Sequence, residues 1–150
     1  MNDRTLPHDP YIDAVTDALT AVGLDVGDTW TSAADTRGLH CILNAVLTLE
    51  ESGLDAERWP EGLLLIWEWH PGREEGEAER GPVWLWAKKL RDGSNSDPAV
   101  LPVDGYANPA QVAASAGELA TAGQAVKHRP GQWHGSPALV TAITAWETSR

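Results

Sequence analysis

The residues able to do chemistry in this chain are few and scattered. Its single cysteine, Cys41, directly follows His40, and a Cys–His pair is a common source of a protein nucleophile. Cys41, Leu43, Ala45, Leu47 and Leu49 alternate as a strand, where adjacent side chains point to opposite faces. His40 and Cys41 are therefore not expected to pair, and Cys41 reads as a buried structural thiol. His128 and His134 are separated by a Pro-Gly loop rather than a helical turn, and no third metal ligand is nominated. With Lys127 and Arg129 that segment reads as a solvated loop or a small basic patch. Glu74, Glu75, Glu77 and Glu79 form an acidic run, but a divalent cation needs oxygens at fixed spacing around a tight turn. Arg73 and Arg80 also offset part of the charge, so a solvated loop is expected. The chain has no phosphate-cradling Gly-rich loop, no Rossmann fingerprint, no GxSxG elbow, and no HExxH or paired CxxC. No catalytic residue, cofactor or metal is assigned.

Tryptophan usage is the unusual feature: the chain has 8 Trp, 2 Tyr and no Phe. Trp67, Trp69, Trp84 and Trp86 lie in two apolar runs, 63–70 and 83–90. Pro-Gly and Gly-Pro bracket the charged segment between these runs, which predicts an antiparallel hairpin with a solvated tip. If Trp69 pairs with Val83, one face carries Leu63, Leu65, Trp67, Trp69, Val83, Leu85 and Ala87 and is core. The opposite face then carries Leu64, Ile66, Glu68, His70, Trp84, Trp86 and Lys88. Two large aromatics among charges would be either covered by a helix or left as a contact surface. Trp84, Trp86, Ile66, Glu68, His70 and Lys88 are thus the candidate partner-binding residues.

The elements that must position these residues follow from periodicity and caps. Residues 9–22 read as a helix, with Asp9 as N-cap, Pro10 at the first helical position and Gly23 as the stop. Tyr11, Ile12, Val15, Ala18, Leu19 and Val22 make its apolar stripe, which wants a sheet to pack on. Residues 24–30 read as a short strand and 31–38 as a polar loop. Residues 39–49 fit either helix or strand; strand is chosen because Gly38 and a Glu-Glu-Ser-Gly turn bracket a short run. Residues 100–103 suggest an edge strand, where Pro102 is tolerated. Helices are expected at 109–122, with a stripe of Val112, Ala113, Ala116, Leu119 and Ala120, and at 137–147, with Leu139, Val140, Ile143 and Trp146 on one face. Helix, consecutive strands, then two helices predict a single α+β domain over 1–150: a twisted antiparallel sheet of 3–5 strands with the helices mainly on one face.

Composition bounds the rest. Residues 1–80 carry 17 acidic and 5 basic side chains, residues 81–150 carry 5 and 6, and the net charge is −11. No binding to bulk nucleic acid is expected from such a chain. The charge serves solubility or meets a basic partner. There is no apolar N-terminal stretch and no run long enough to span a membrane. One cysteine agrees with a reducing compartment, so a cytoplasmic protein is expected. Abundant Ala and an excess of Arg over Lys suggest a GC-rich bacterial source.

The text Trp59-Pro60-Glu61-Gly62-Leu63-Leu64-Leu65-Ile66-Trp67-Glu68-Trp69-His70-Pro71-Gly72 resembles a family of small uncharacterised acidic proteins of GC-rich bacteria. Gly81-Pro82-Val83-Trp84 and Leu101-Pro102-Val103-Asp104-Gly105-Tyr106-Ala107-Asn108-Pro109 strengthen the likeness. It covers roughly residues 59–116. It implies a recurring domain and carries over no activity and no functional residue.

Three functions fit these observations. One is a non-enzymatic protein-interaction domain acting as adaptor, inhibitor or homodimer. Another is an acidic inhibitor that mimics nucleic acid. The last is a small ligand-binding domain or enzyme whose pocket is lined by Trp67, Trp69 and His70. Cys41 has no cationic neighbour in its run to stabilise a thiolate, so a thiol reagent at neutral pH is expected to label the native protein far more slowly than the denatured one. Equal rates would refute a buried, inert Cys41.

Overall fold

The computed structural model describes residues 6–36, 40–50, 54–72 and 81–148, leaving the side chains of 34–36, 40 and 41 outside the described set. The elements run α1 (Asp9–Ala21), β1 (Val26–Thr36), β2 (His40–Leu49), β3 (Leu63–His70), β4 (Gly81–Lys88), β5 (Ala99–Val100), α2 (Pro109–Ala122) and α3 (Ser136–Thr148). The strands form one twisted antiparallel sheet of five in sequence order. Each strand pairs with the one before it, the simplest connection for short links. The fold is α+β, as the element order predicts. Among the described residues no helix is long and apolar enough to cross a membrane.

Of residues 39–49, the described 40–49 are strand: β2 pairs with both neighbours, placing Leu43 opposite Trp69 and Leu47 opposite Leu65. The expectation that residues 31–38 form a loop is overturned over 31–36, where β1 continues to Thr36 paired with β2, while 37 and 38 lie outside the described residues. An edge strand tolerates Thr, Ser and Asp on its wet side, so low hydrophobicity did not end it. Asp9 is not the N-cap of α1. His8 holds that position without a side-chain bond, and Pro10 lies in the first turn. Asp9 instead accepts from the Leu6 amide at 2.9 Å and from the Thr31 hydroxyl at 2.8 Å, tying the helix start to β1. The edge strand at the other side is only Ala99–Val100. The acidic run 74–79 lies outside the described residues. So does the Cys41 side chain.

One core holds the molecule. The buried apolar residues of all three helices, Tyr11, Ile12, Val15 and Leu19 of α1, Val112 to Ala120 of α2, and Leu139 and Ile143 of α3, form a single cluster with one face of the sheet. That face carries Leu43, Ala45, Leu47, Leu49, Leu63, Leu65, Trp67, Trp69 and Trp84. Val22 and Val140 belong to the predicted stripes but stand 57% and 43% exposed.

Large indoles can be buried here because their N–H groups find acceptors. Trp67 Nε1 donates to Gly105 O at 2.8 Å, Trp59 Nε1 to Ala120 O at 3.0 Å, and Trp84 Nε1 to the Tyr11 hydroxyl at 3.1 Å. Tyr11 in turn donates to Ala107 O at 2.6 Å. Its ring lies 6.0 Å from Trp67, 6.1 Å from Trp84 and 5.2 Å from Trp133. The segment 101–108 is thereby stitched onto the sheet. Its Gly105 stands where a Cβ would meet the Pro82 carbonyl. Asn108 then caps α2, accepting from the Ala110 amide at 3.0 Å.

This network generates a stability test. Tyr11→Phe strands a buried indole N–H and a buried carbonyl and is expected to cost about 1–3 kcal/mol. Trp84→Ala removes a fully buried indole and should cost about 3–5 kcal/mol. Trp30→Ala, at a position 55% exposed, should stay within about 0.5 kcal/mol of the parent. Denaturant unfolding measures all three, and a Trp30→Ala variant as unstable as Trp84→Ala would overturn the assignment.

Candidate interaction surface

The structure divides the predicted site between the two faces of the sheet. In β3 and β4, Trp69 pairs with Pro82, Glu68 with Val83, Trp67 with Trp84, Leu65 with Trp86 and Leu63 with Lys88. This is one residue away from the Trp69–Val83 pairing that alternation suggested. A slip of one residue moves every side chain of the partner strand to the other face. Trp84, Trp86 and Lys88 therefore lie on the helix-covered side. Trp84 is fully buried, and Trp86 is half-buried, edge-on to Trp59 at 5.9 Å. Ile66, Glu68 and His70 lie on the opposite face. The register that wins is the one that places Trp84 against Tyr11 and opposite Trp67, where its indole is both buried and bonded. Trp84 and Trp86 are thus core, and they do not share a surface with Ile66, Glu68 and His70.

The pocket imagined from Trp67, Trp69 and His70 is not assembled either. Trp67 and Trp69 point into the core, and His70 points away from it. Trp69 lines a hollow of about 330 Å³ with Tyr106, Val140 and Ile143. A second hollow, about 290 Å³, is apolar and is walled by Pro7, Pro10, Trp133 and Leu139. Neither gathers the convergent polar groups of a catalytic site. Among the described residues no group of three or more His, Cys, Asp or Glu is placed to hold a metal.

What the fold exposes is the other face of the sheet. Across all five strands the register aligns Trp30 with Val46, Val46 with Ile66, Ile66 with Leu85 and Leu85 with Val100. None of these side chains belongs to the helix-covered core or packs against it. Trp30 is 55% and Val100 66% exposed, Val46 and Leu85 are half-buried, and Ile66 at the centre is 8% exposed. The flanking rows are Asp28, Thr48, Leu64 and Ala87 on one side, and Ser32, Asn44, Glu68 and Val83 on the other. The two charged residues in these rows are both carboxylates. Glu68 Oε1 meets His70 Nε2 at 3.3 Å. Glu68 lies beside Asn44 and Val83, which supply neither a nucleophile nor a metal ligand.

Trp30, Val46, Leu85 and Val100 were not among the sequence candidates. Alternation within each strand was visible, but the row exists only once Trp30 is paired with Val46 and the β3–β4 register is set. Against known protein families, curated proteins and solved structures, the chain matches none.

A buried imidazole joins the helix layer to the sheet. His8 is fully buried and stacks on Trp67 with ring centroids 5.3 Å apart. Its Nε2 lies 2.8 Å from Asn44 O. A carbonyl only accepts, so Nε2 carries the proton and Nδ1 keeps its lone pair. Nδ1 is buried without a hydrogen-bond partner among the described residues. Burial pushes the pKa of His8 below its ordinary value, against the smaller opposing effects of the Asn44 carbonyl and the nearby Asp9 carboxylate.

The unfolded chain therefore takes up this proton at a higher pH than the folded one, and stability falls as pH drops below about 6.5, the unfolded value. Tm should fall more between pH 7.5 and 5.5 for the parent than for His8→Gln, whose amide can still donate to Asn44 O without titrating. Parallel Tm profiles would rule out His8 as the source.

Proposed function

We propose that this chain is a non-enzymatic protein-interaction domain whose contact surface is the helix-free face of its sheet. One observation carries the reading: an apolar row of five side chains, Trp30–Val46–Ile66–Leu85–Val100, crosses the whole sheet on the face away from the helix-covered cluster. Exposed apolar patches rimmed by polar residues mark contact surfaces more often than they occur by chance. The four long strands span three spacings of about 4.8 Å and at least eight residues at about 3.3 Å each, a footprint of roughly 380 Å². That is about half of the roughly 800 Å² each partner gives to a stable interface. Trp30 offers the type of rigid aromatic anchor that dominates binding energy.

A photo-crosslinking amino acid placed at Val100 on this face, and at Val140 on the exposed side of α3, tests the reading in the native host. The expected result is a discrete protein adduct from position 100, lost when Leu85→Lys is added, and none from position 140. Equal adducts from both positions, or none from position 100, would refute it.

A further inference from the structure

Strand β1 is an open edge of unusual length. It has 11 residues and, among the described residues, pairs only with β2, whereas the opposite edge is 2 residues long. A strand edge presents a row of backbone donors and acceptors, and proteins usually blunt it with Lys, Pro, short length or a bulge. The β1 sequence VGDTWTSAADT contains neither Lys nor Pro, and its register irregularity lies at one end, between Val26 and Asp28. The middle of the strand is thus left able to pair.

Its surroundings select the charge of what pairs with it. Asp28, Glu50 and Glu61 line a hollow of about 340 Å³ at the end of β1, with Lys89 as the one cation of its lining. The Glu50 carboxylate fills the space a Cβ on Gly27 would take. Asp9 lies on the core side of the same strand, bonded to Thr31. A second copy would bring the same carboxylates and another net charge of −11, whereas a cationic segment is drawn in. Asp28 and Trp30 are two residues apart and so share the helix-free face, about 7 Å from each other along the strand.

We propose that β1 takes up an extended, Lys- or Arg-bearing segment of a basic partner protein as a sixth strand. A cationic side chain of that segment lies opposite Asp28 and an apolar one opposite Trp30. Main-chain hydrogen bonds supply affinity, and the alternating side chains supply selectivity. The added strand extends the apolar row by one position and covers the exposed indole. This inference names the partner's chemistry for the surface proposed above and rests on that reading.

The probe is a fluorescein-labelled nonapeptide, Val-Thr-Lys-Thr-Val-Thr-Lys-Thr-Val, whose Lys and Val side chains alternate along one face, followed by anisotropy at 150 mM salt. Two further versions carry N-methyl groups on one or the other alternating set of amides. In a docked strand one set faces β1 and the other faces solvent. The expected result is that one N-methylated peptide binds at least about 10-fold more weakly than the parent while the other binds nearly normally. Asp28→Lys and Trp30→Ala should each weaken the parent peptide at least about 5-fold. Equal binding of both N-methylated peptides would overturn the proposal, since it would show charge attraction without strand pairing. No binding by the parent peptide would overturn it too, while the crosslink from Val100, on the far strand, still decides the surface itself. A dimer in sedimentation that Trp30→Ala converts to monomer would give the edge to a second copy and overturn the basic partner.

Discussion

Four tryptophans lie buried in this small domain, and three of them show directly where a buried indole N–H can go. An indole buried without an acceptor would lose a hydrogen bond to water and gain nothing in return. Here Trp67 reaches Gly105 O, Trp59 reaches Ala120 O, and Trp84 reaches Tyr11, whose own proton goes to Ala107 O. Burial pushes the Tyr11 phenol well above its usual value, so the hydroxyl stays protonated and can donate while it accepts. Apart from the Tyr11 hydroxyl, the acceptors are backbone atoms of the segment after β5 and of α2. The aromatic core and the path of the chain over it are therefore one arrangement. This accounts for Gly105, Ala107 and Asn108 in structural terms: an acceptor at close approach, a second acceptor, and a helix cap.

Because all three helices answer to that core, they lie on the same side of the sheet. A five-strand sheet with one covered face has a second face that must be either polar or occupied. In β1 it is largely polar, with Asp28 and Ser32 on either side of Trp30. Toward β3 and β4 it becomes apolar, with Ile66, Leu85 and Val83. The polar side chains on this face that meet nearby are Glu68 and His70. Among its described residues this face supplies area and shape and brings no reactive groups together, which fits the docking role proposed for it. The open edge of β1 adjoins it, so backbone pairing and side-chain burial can act on one partner together.

Local patterns carried much of the architecture. α2 was legible to the residue: Asn108 and Pro109 start it, Gly123 at φ +81° stops it, and every residue of its predicted stripe is buried. The hairpin of β3 and β4 and the strand nature of β2 were likewise readable, because turns and period-two alternation are properties of short segments. The end of β1 was not. Thr31 to Thr36 has the composition of a loop, and only pairing with β2 makes it a strand. The candidate site failed for a related reason. Trp84 and Trp86 were known to share a face, but which face depended on a single step of register.

The amino-acid sequence by itself thus determined the order and type of most elements, the two faces of each strand, and an acidic chain without a recognisable catalytic motif. Helical and strand periods, capping residues and charge are written in neighbours along the chain. The tertiary structure alone decided which strand face became core and which residues met across strands to make the surface. Those outcomes turn on contacts between residues far apart in sequence: Tyr11 with Trp84, Trp67 with Gly105, and Trp30 with Val46. Alternation is equally well satisfied by either register, and the choice falls to whichever register buries the indoles with their N–H groups bonded.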